Sequence, residues 1–413
     1  MDDQRRNRRN LVQNILITLL TVTAAALFTQ TQLYSLGLDR GASTFSGAAQ
    51  PAAVQAAELT APVRVAVTGS YGRYGSAALT TGSEAFADAL GRRLAEALGS
   101  ARDYLPCTEG EFLAALEAPS VYYDFLEPLP LPVLARLAGG GELAEDRSAR
   151  RLILSGRDGG TALYLWDGGD TWLRAEVAVS RESLERTVDG YELGGAVFAL
   201  DVGADLAPCS LLPRELPELP VLTAGEALTD TDSLLSALGF NPRLRSRYLE
   251  SNGTELITDG NRTLRIRSDR TIVYNSGGDA SLKIPASDDV PTLWEAAQGV
   301  GNLLSTLPSA GEASLCLQSI RQSGSATVLR FGYQVRGVPV RFADGGCAAE
   351  AALTGRTVDS LSLRLRHYTD AGKASLLLPL EQTLAVAEQK PGAELTIGYV
   401  DAGGDCAAHW LAE

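Results

Sequence analysis

Two stretches of the chain combine residue types and spacings that could do chemistry. The first is VTGSYGRYGSA at residues 67–77, where glycines at 69, 72 and 75 lie between a strand-like run and a helical one. Backbone N–H groups in such a loop can cradle phosphate. A dinucleotide site, however, needs the loop to open directly into its helix and an acidic residue to end the next strand. Here the helical pattern waits until about Ser83 and no repeated strand–helix unit follows, so an ordinary turn is expected. The second stretch, VYYDFLEP, embeds Asp124 and Glu127 among aromatic residues. Two carboxylates in such surroundings could share acid and base roles in hydrolysis. The simpler expectation is a strand end where Asp124 accepts hydrogen bonds from nearby backbone.

Other catalytic equipment is sparse. The histidines are His367 and His409, and Cys107, Cys209, Cys316, Cys347 and Cys406 are widely spaced with no C-x-x-C pair. That pattern supports neither a zinc site nor a disulfide framework, and most of the thiols are expected free and buried. No G-x-S-x-G, S-x-x-K, H-E-x-x-H or G-x-x-x-x-G-K-[ST] motif occurs. No catalytic, cofactor-binding or metal-binding residue is assigned, and the expected class is a protein that is not an enzyme.

The elements that must position these residues belong to an α+β fold. VRVAVTG from Val63 alternates as a strand, and Phe86, Leu90, Leu94 and Leu98 fall at helical spacing after it. A short helix is expected near residues 111–117 and a strand at 121–125. Alternating runs at 151–155, 161–166 and 171–179, separated by Asp-Gly and Gly-Gly pairs, form a meander. LLPRELPELPVL at 211–222 carries three prolines and reads as a boundary or an edge crossing. Beyond it come a short helix from Asp230 to Leu238 and four strand candidates before Ser276.

SDDVPTLWEAAQGVGNLLSTLP is the clearest helix, with Asp288 or Asp289 as its cap and Pro291 in its first turn. Leu293, Ala297, Val300, Leu304 and Leu307 form its apolar stripe, with Trp294 at the core edge. In ATVLRFGYQVRGVPVRF, Leu329, Phe331, Tyr333 and Val335 oppose Arg330, Gln334 and Arg336. In VDSLSLRLRHYTD, Leu361, Leu363 and Leu365 oppose Arg364 and Arg366. Both read as long antiparallel strands with one wet face. His367 falls on the leucine side near a strand end and is expected to be structural.

Length supports two folded domains, 61–222 and 223–413, each with an antiparallel sheet packed by helices. Ahead of them, residues 35–60 are small and polar and read as a flexible tether. Residues 11–34, LVQNILITLLTVTAAALFTQTQLY, follow a basic segment of residues 1–10 with arginines at 5, 6, 8 and 9, and no charge returns until Asp39. From Leu11 to Phe28 the run is apolar except for Gln13, Asn14 and three threonines, and about 18 residues at 1.5 Å each give roughly 27 Å, just enough for a hydrocarbon core of about 30 Å. The arginine asymmetry places the N-terminus in the cytoplasm and the bulk of the chain outside, on a single-pass membrane protein. Ala24 and Ala26 supply an A-x-A pattern for a cleaved signal peptide. The length of the run and the polar TQTQ after it favour retention. Asn14, Thr18, Thr21 and Ala25 share one face of this helix. They serve either to dock another membrane helix, or, for the threonines, to bond back to their own backbone while Asn14 sits at the headgroups.

Net charge is −14, and since the first ten residues carry four arginines against two aspartates, the remainder carries −16. Nucleic acid and anionic lipid are poor partners for such a surface.

The order of parts resembles the YycH and YycI accessory proteins of Gram-positive two-component signalling, in their clostridial type. The resemblance rests on NPRLRSRYLESNGTELITDGNRTLRIRSDRTIVYNS, on the helix after Asp289, and on FGYQVRGVPV, whose Tyr333, Gly337 and Pro339 match a Y-x-x-x-G-x-P strand. VYYDFLEPLPL also looks like the first domain of those proteins. The resemblance implies a membrane-anchored extracytoplasmic regulator of a WalK-type, cell-wall-controlling sensor histidine kinase, with a paralogous accessory protein as a second partner. On that implication Asn14, Thr18, Thr21 and Ala25 become the kinase-facing positions. Two other classes stay open: a cell-wall binding module using an aromatic groove around Trp166 and Trp172, and an envelope hydrolase with converging carboxylates.

Overall fold

A computed structural model describes residues 59–69, 89–157, 159–191, 194–228, 230–241 and 246–413. In chain order the first half contains β1 (Arg64–Thr68), α1 (Gly91–Ser100), β2 (Arg102–Pro106), α2 (Glu109–Ala114), β3 (Ser120–Pro130), α3 (Leu131–Leu137), β4 (Ser148–Ser155), β5 (Ala162–Trp166), β6 (Trp172–Glu176), α4 (Arg181–Val188), β7 (Ala196–Phe198), α5 (Ala199–Val202) and β8 (Leu211–Pro213). The second half contains β9 (Pro220–Glu226), α6 (Thr231–Ala237), β10 (Ser246–Leu249), β11 (Glu255–Asp259), β12 (Arg262–Ile266), β13 (Thr271–Asn275), α7 (Leu293–Ser305), β14 (Ser314–Ser323), β15 (Ala326–Val335), β16 (Val338–Phe342), β17 (Ala349–Thr354), β18 (Thr357–Arg364), β19 (Arg366–Ala374), α8 (Leu380–Ala387), β20 (Leu395–Asp401), β21 (Gly404–Cys406) and β22 (Ala408–Ala412).

The fold is α+β. A six-stranded antiparallel sheet has the order β1-β3-β4-β5-β6-β2, so the expected meander is its centre and β1 closes one edge. The larger sheet runs β10-β11-β12-β13-β18-β17-β15-β16-β20-β22, with β14 along the other side of β15. Its ladders are antiparallel apart from β16 and β20, which run parallel.

One alternating run divides between sheets. Residues 357–364 pair with β13 and β17, whereas residues 366–374 leave for a small sheet with β9 and β21. Leu365 sits at the switch. The proline-rich crossing expected near residue 222 does carry the chain between sheets, because Leu211–Pro213 pairs with β7 and Pro220–Glu226 pairs with β19. The boundary drawn between 222 and 223 therefore falls inside β9. From Ala56 to Glu413 the chain forms one unit, and a single apolar cluster runs from Val65 and Leu152 through Leu94 and Leu98 to Val300, Leu304, Leu361 and Leu363.

Local chemistry explains where elements start and turn. The cap of α7 is Thr292, not Asp288 or Asp289, and Pro291 precedes the helix rather than sitting in its first turn. Thr292 and Glu295 form a reciprocal capping box that satisfies two N–H groups at once, an advantage a lone aspartate lacks. The stripe is as expected, with Ala297, Val300 and Leu304 buried and Leu293 and Trp294 packed at its margin. Between β15 and β16, Arg336 and Gly337 both take positive φ, at 49° and 77°, which is the backbone of a two-residue hairpin turn. Tyr333, Gly337 and Pro339 are thus the strand, turn and return of one hairpin. Gln334, expected on the wet face, is buried because the incoming chain covers it, and its Nε2 donates to Thr60 Oγ1 at 3.3 Å.

Among the described residues no helix is long and apolar enough to cross a membrane. Residues 11–34, the tether, and Phe86 with the glycine loop beyond Gly69 lie outside the described residues.

Candidate functional site

The six-stranded sheet carries a row of directly opposed residues across five strands. Arg64 on β1 faces Asp124 on β3, Asp124 faces Arg151 on β4, Arg151 faces Trp166 on β5, and Trp166 faces Trp172 on β6. Cross-strand neighbours stand about 5 Å apart, so charge and ring complementarity along such a row acts at contact range. Arg64 Nη2 lies 2.5 Å from Asp124 Oδ2, Arg151 Nε lies 3.3 Å from the same oxygen, and the Arg151 guanidinium sits 4.7 Å from the centre of the Trp166 ring.

Glu394, immediately before β20, closes this row from the far end of the chain. Its carboxylate meets Arg64 and Arg150 at 2.5 Å each and Arg151 at 2.7 Å. The local reason Asp124 is positioned for this lies in a register shift of β3 between Asp124 and Leu129. There Leu126 takes φ 64° and donates its N–H to Asp124 Oδ1 at 2.9 Å. The expected bond from Asp124 to nearby backbone is therefore present, within a larger ionic cluster. Tyr122, two residues earlier on the same face, donates to the Cys209 carbonyl at 3.3 Å and lies 3.4 Å from Asp124 Oδ2.

The electrostatics fix the protonation states. Burial alone would raise the pKa of Asp124, but Arg64, Arg151 and Arg150 outweigh it and hold the carboxyl far below the usual range. Glu394 is likewise lowered: burial and Asp124 oppose ionisation, and the same three arginines overcome both. Burial pushes Tyr122 well up and Cys209 up to about 12, so both stay neutral. Two carboxylates ionised at neutral pH, saturated by guanidiniums and buried, have no proton to give there. Their arrangement suits docking one part of the chain against another.

Glu127 does not join Asp124. It is exposed on the outer side of the β3 irregularity and lines a separate polar cleft of about 360 Å³ with Arg330 and Arg341, where those arginines pair with Glu350 and Glu413. Trp166 and Trp172 stack on each other at 5.2 Å and 16°, and Phe112 meets Trp172 edge-on at 4.9 Å. With Arg151 over the Trp166 ring, these faces are already engaged. His367 is structural as expected, its Nδ1 3.0 Å from the Ser309 carbonyl. The five cysteines are free, and Cys209, Cys316 and Cys406 are buried. Among the described residues no group of three or more His, Cys, Asp or Glu side chains could hold a metal. Asn14, Thr18, Thr21 and Ala25 lie outside the described residues.

Two further surfaces are concave. An apolar cleft of about 360 Å³ between α7 and the large sheet is lined by Leu59, Leu304, Phe331, Tyr333 and Leu363. A second, of about 440 Å³, lies between α8 and β22 and borders the most exposed apolar side chains of this region, Leu376 at 92%, Val386 at 58% and Leu378 at 46%. Exposed apolar residues gathered beside a groove mark contact surfaces more often than isolated ones do.

Comparison with protein-family models gives no match, and none is found among curated proteins. Among solved structures the chain is similar to an uncharacterized protein from Eubacterium rectale, with 13% identity over 51% of this chain and 78% of that one, at a TM-score of 0.33. A likeness at that level carries no argument about function.

Proposed function

We infer that the protein is a membrane-anchored extracytoplasmic regulator of a cell-wall-controlling sensor histidine kinase. The observation that carries this reading is the pattern of residues 1–34: four arginines, then an apolar run long enough to span, with Asn14, Thr18, Thr21 and Ala25 on one helical face. The resemblance of the 333–339 hairpin and its surroundings to YycH and YycI supports it. The buried carboxylates agree with it, since both are bound into the fold and neither is poised for hydrolysis.

In this mechanism the helix packs against a kinase transmembrane helix and the outer unit adds a second contact. The exposed leucines at 376 and 378 are a suitable surface for that second contact. Regulation requires unequal affinity for the kinase's two helix arrangements, because binding both equally shifts nothing. The test exchanges residues 11–34 for an unrelated membrane helix of equal length and measures kinase output in cells. Loss of regulation with normal protein abundance is expected, and unchanged output would refute helix docking.

A further inference from the structure

Three guanidiniums and two carboxylates meet where β1, β3 and β4 approach Glu394, so the buried cluster holds one positive charge in excess. Arg64 is 5% exposed, and among the described residues its Nε–H has no hydrogen-bond partner. Thr396, two residues beyond Glu394 on β20, is 4% exposed, and its hydroxyl also has none among the described residues. Buried donors without acceptors are costly and uncommon in folded proteins. These two side chains line the same cavity of about 20 Å³, beneath the hairpin turn at Gly337 and beside Trp410.

A space of that size accepts a single atom about as large as a water oxygen, which rules out carboxylate, phosphate or sulfate. The remaining side chains of its wall are aliphatic, proline or the Trp410 indole, so no carboxylate lines it. A water there would turn its hydrogens to main-chain carbonyls or to the Thr396 oxygen, and it would bring no charge. A halide only accepts, and it offsets the excess charge of the cluster.

We propose that this cavity binds one monatomic, monovalent anion, chloride in physiological media, held by the Arg64 Nε–H and the Thr396 hydroxyl. Its position gives it a role in assembly. Arg64 belongs to the six-stranded sheet, Thr396 and the Gly337 turn belong to the large sheet, and the anion joins them at the point where Glu394 already bridges.

Crystals of the full chain grown in sodium bromide and measured at the bromine edge test this directly. An anomalous peak is expected within about 3.5 Å of both Arg64 Nε and Thr396 Oγ1, hydrogen-bond range for a large anion. Thr396→Val, which removes the hydroxyl donor with little change of shape, should weaken that peak. In solution, chloride in place of gluconate at equal ionic strength should raise the melting temperature of the full chain by about 1–3 °C through preferential binding to the folded state. No peak in the parent protein, whether the density there is water or absent, overturns the proposal. So does a peak unchanged in Thr396→Val, or equal melting temperatures in the two salts.

Discussion

Replacing Asp124 by asparagine is the sharpest test of the ionic cluster. The side chain is fully buried, touches Arg64 at 2.5 Å and Arg151 at 3.3 Å, and lies 3.6 Å from Arg150. Asparagine keeps the shape and can still accept the Leu126 N–H, but it takes one negative charge from a cluster that is already one positive charge in excess. Removing one partner of a buried pair typically costs about 3–5 kcal/mol, largely because the other charge is left uncompensated. Glu394 still faces all three guanidiniums, so a loss of about 3 kcal/mol is expected. Urea slopes of about 1–3 kcal/mol/M hold for small proteins and rise with size, so here the unfolding midpoint should fall by roughly 0.5–1 M, at unchanged slope. Urea suits this measurement because it does not screen charge. Adding Arg151→Met to Asp124→Asn should recover more than about 1 kcal/mol, the mark of coupled residues. A midpoint shift under about 0.3 M, or strictly additive single substitutions, would refute the view that this cluster docks β20 onto the first sheet.

Other outcomes follow from the same structure. Asp124 and Glu394 have folded values below their unfolded values of about 3.9 and 4.3, so their stabilisation is whole above that range and is lost progressively as pH falls from there to the folded values. The wild-type urea midpoint should therefore begin to drop below about pH 5 and go on dropping beneath pH 3, and that of Asp124→Asn should drop less. Thr292→Ala removes one half of the α7 capping box and should lower stability by about 1 kcal/mol, read from urea unfolding. Burial raises Cys209 and Cys316 to about 12 and Cys107 and Cys406 to about 11, so a disulfide reagent at pH 8 should label the native thiols slowly and all five rapidly after denaturation. Rapid native labelling at Cys209 or Cys316 would contradict their placement.

The fold was legible where periodicity was strong. The meander at 148–176, the helix at 293–305 and the alternation of Leu329, Phe331 and Tyr333 all follow from local pattern. The site was legible only in part. Asp124 stood out because a carboxylate lay among aromatics, but its partners did not, because register between strands 60 and 330 residues apart decides which charges meet. A signal was present in Arg64 within VRVAV and Arg151 within RRLIL, charges that interrupt otherwise apolar strands, and cross-strand pairing gives them a reason. The division of residues 357–374 between two sheets was invisible for a similar cause. Alternation records which side chains face a core, not which neighbour supplies the ladder.

The central claim is that residues 11–34 remain on the protein and touch a kinase. A photo-crosslinking side chain placed at Thr18 or Thr21 in native membranes, with the adduct identified by mass spectrometry, tests it most directly. The account predicts a covalent adduct with a transmembrane segment of a sensor histidine kinase from both positions. Adducts with lipid alone, or a mature chain that begins near residue 27 and so lacks both positions, would contradict it.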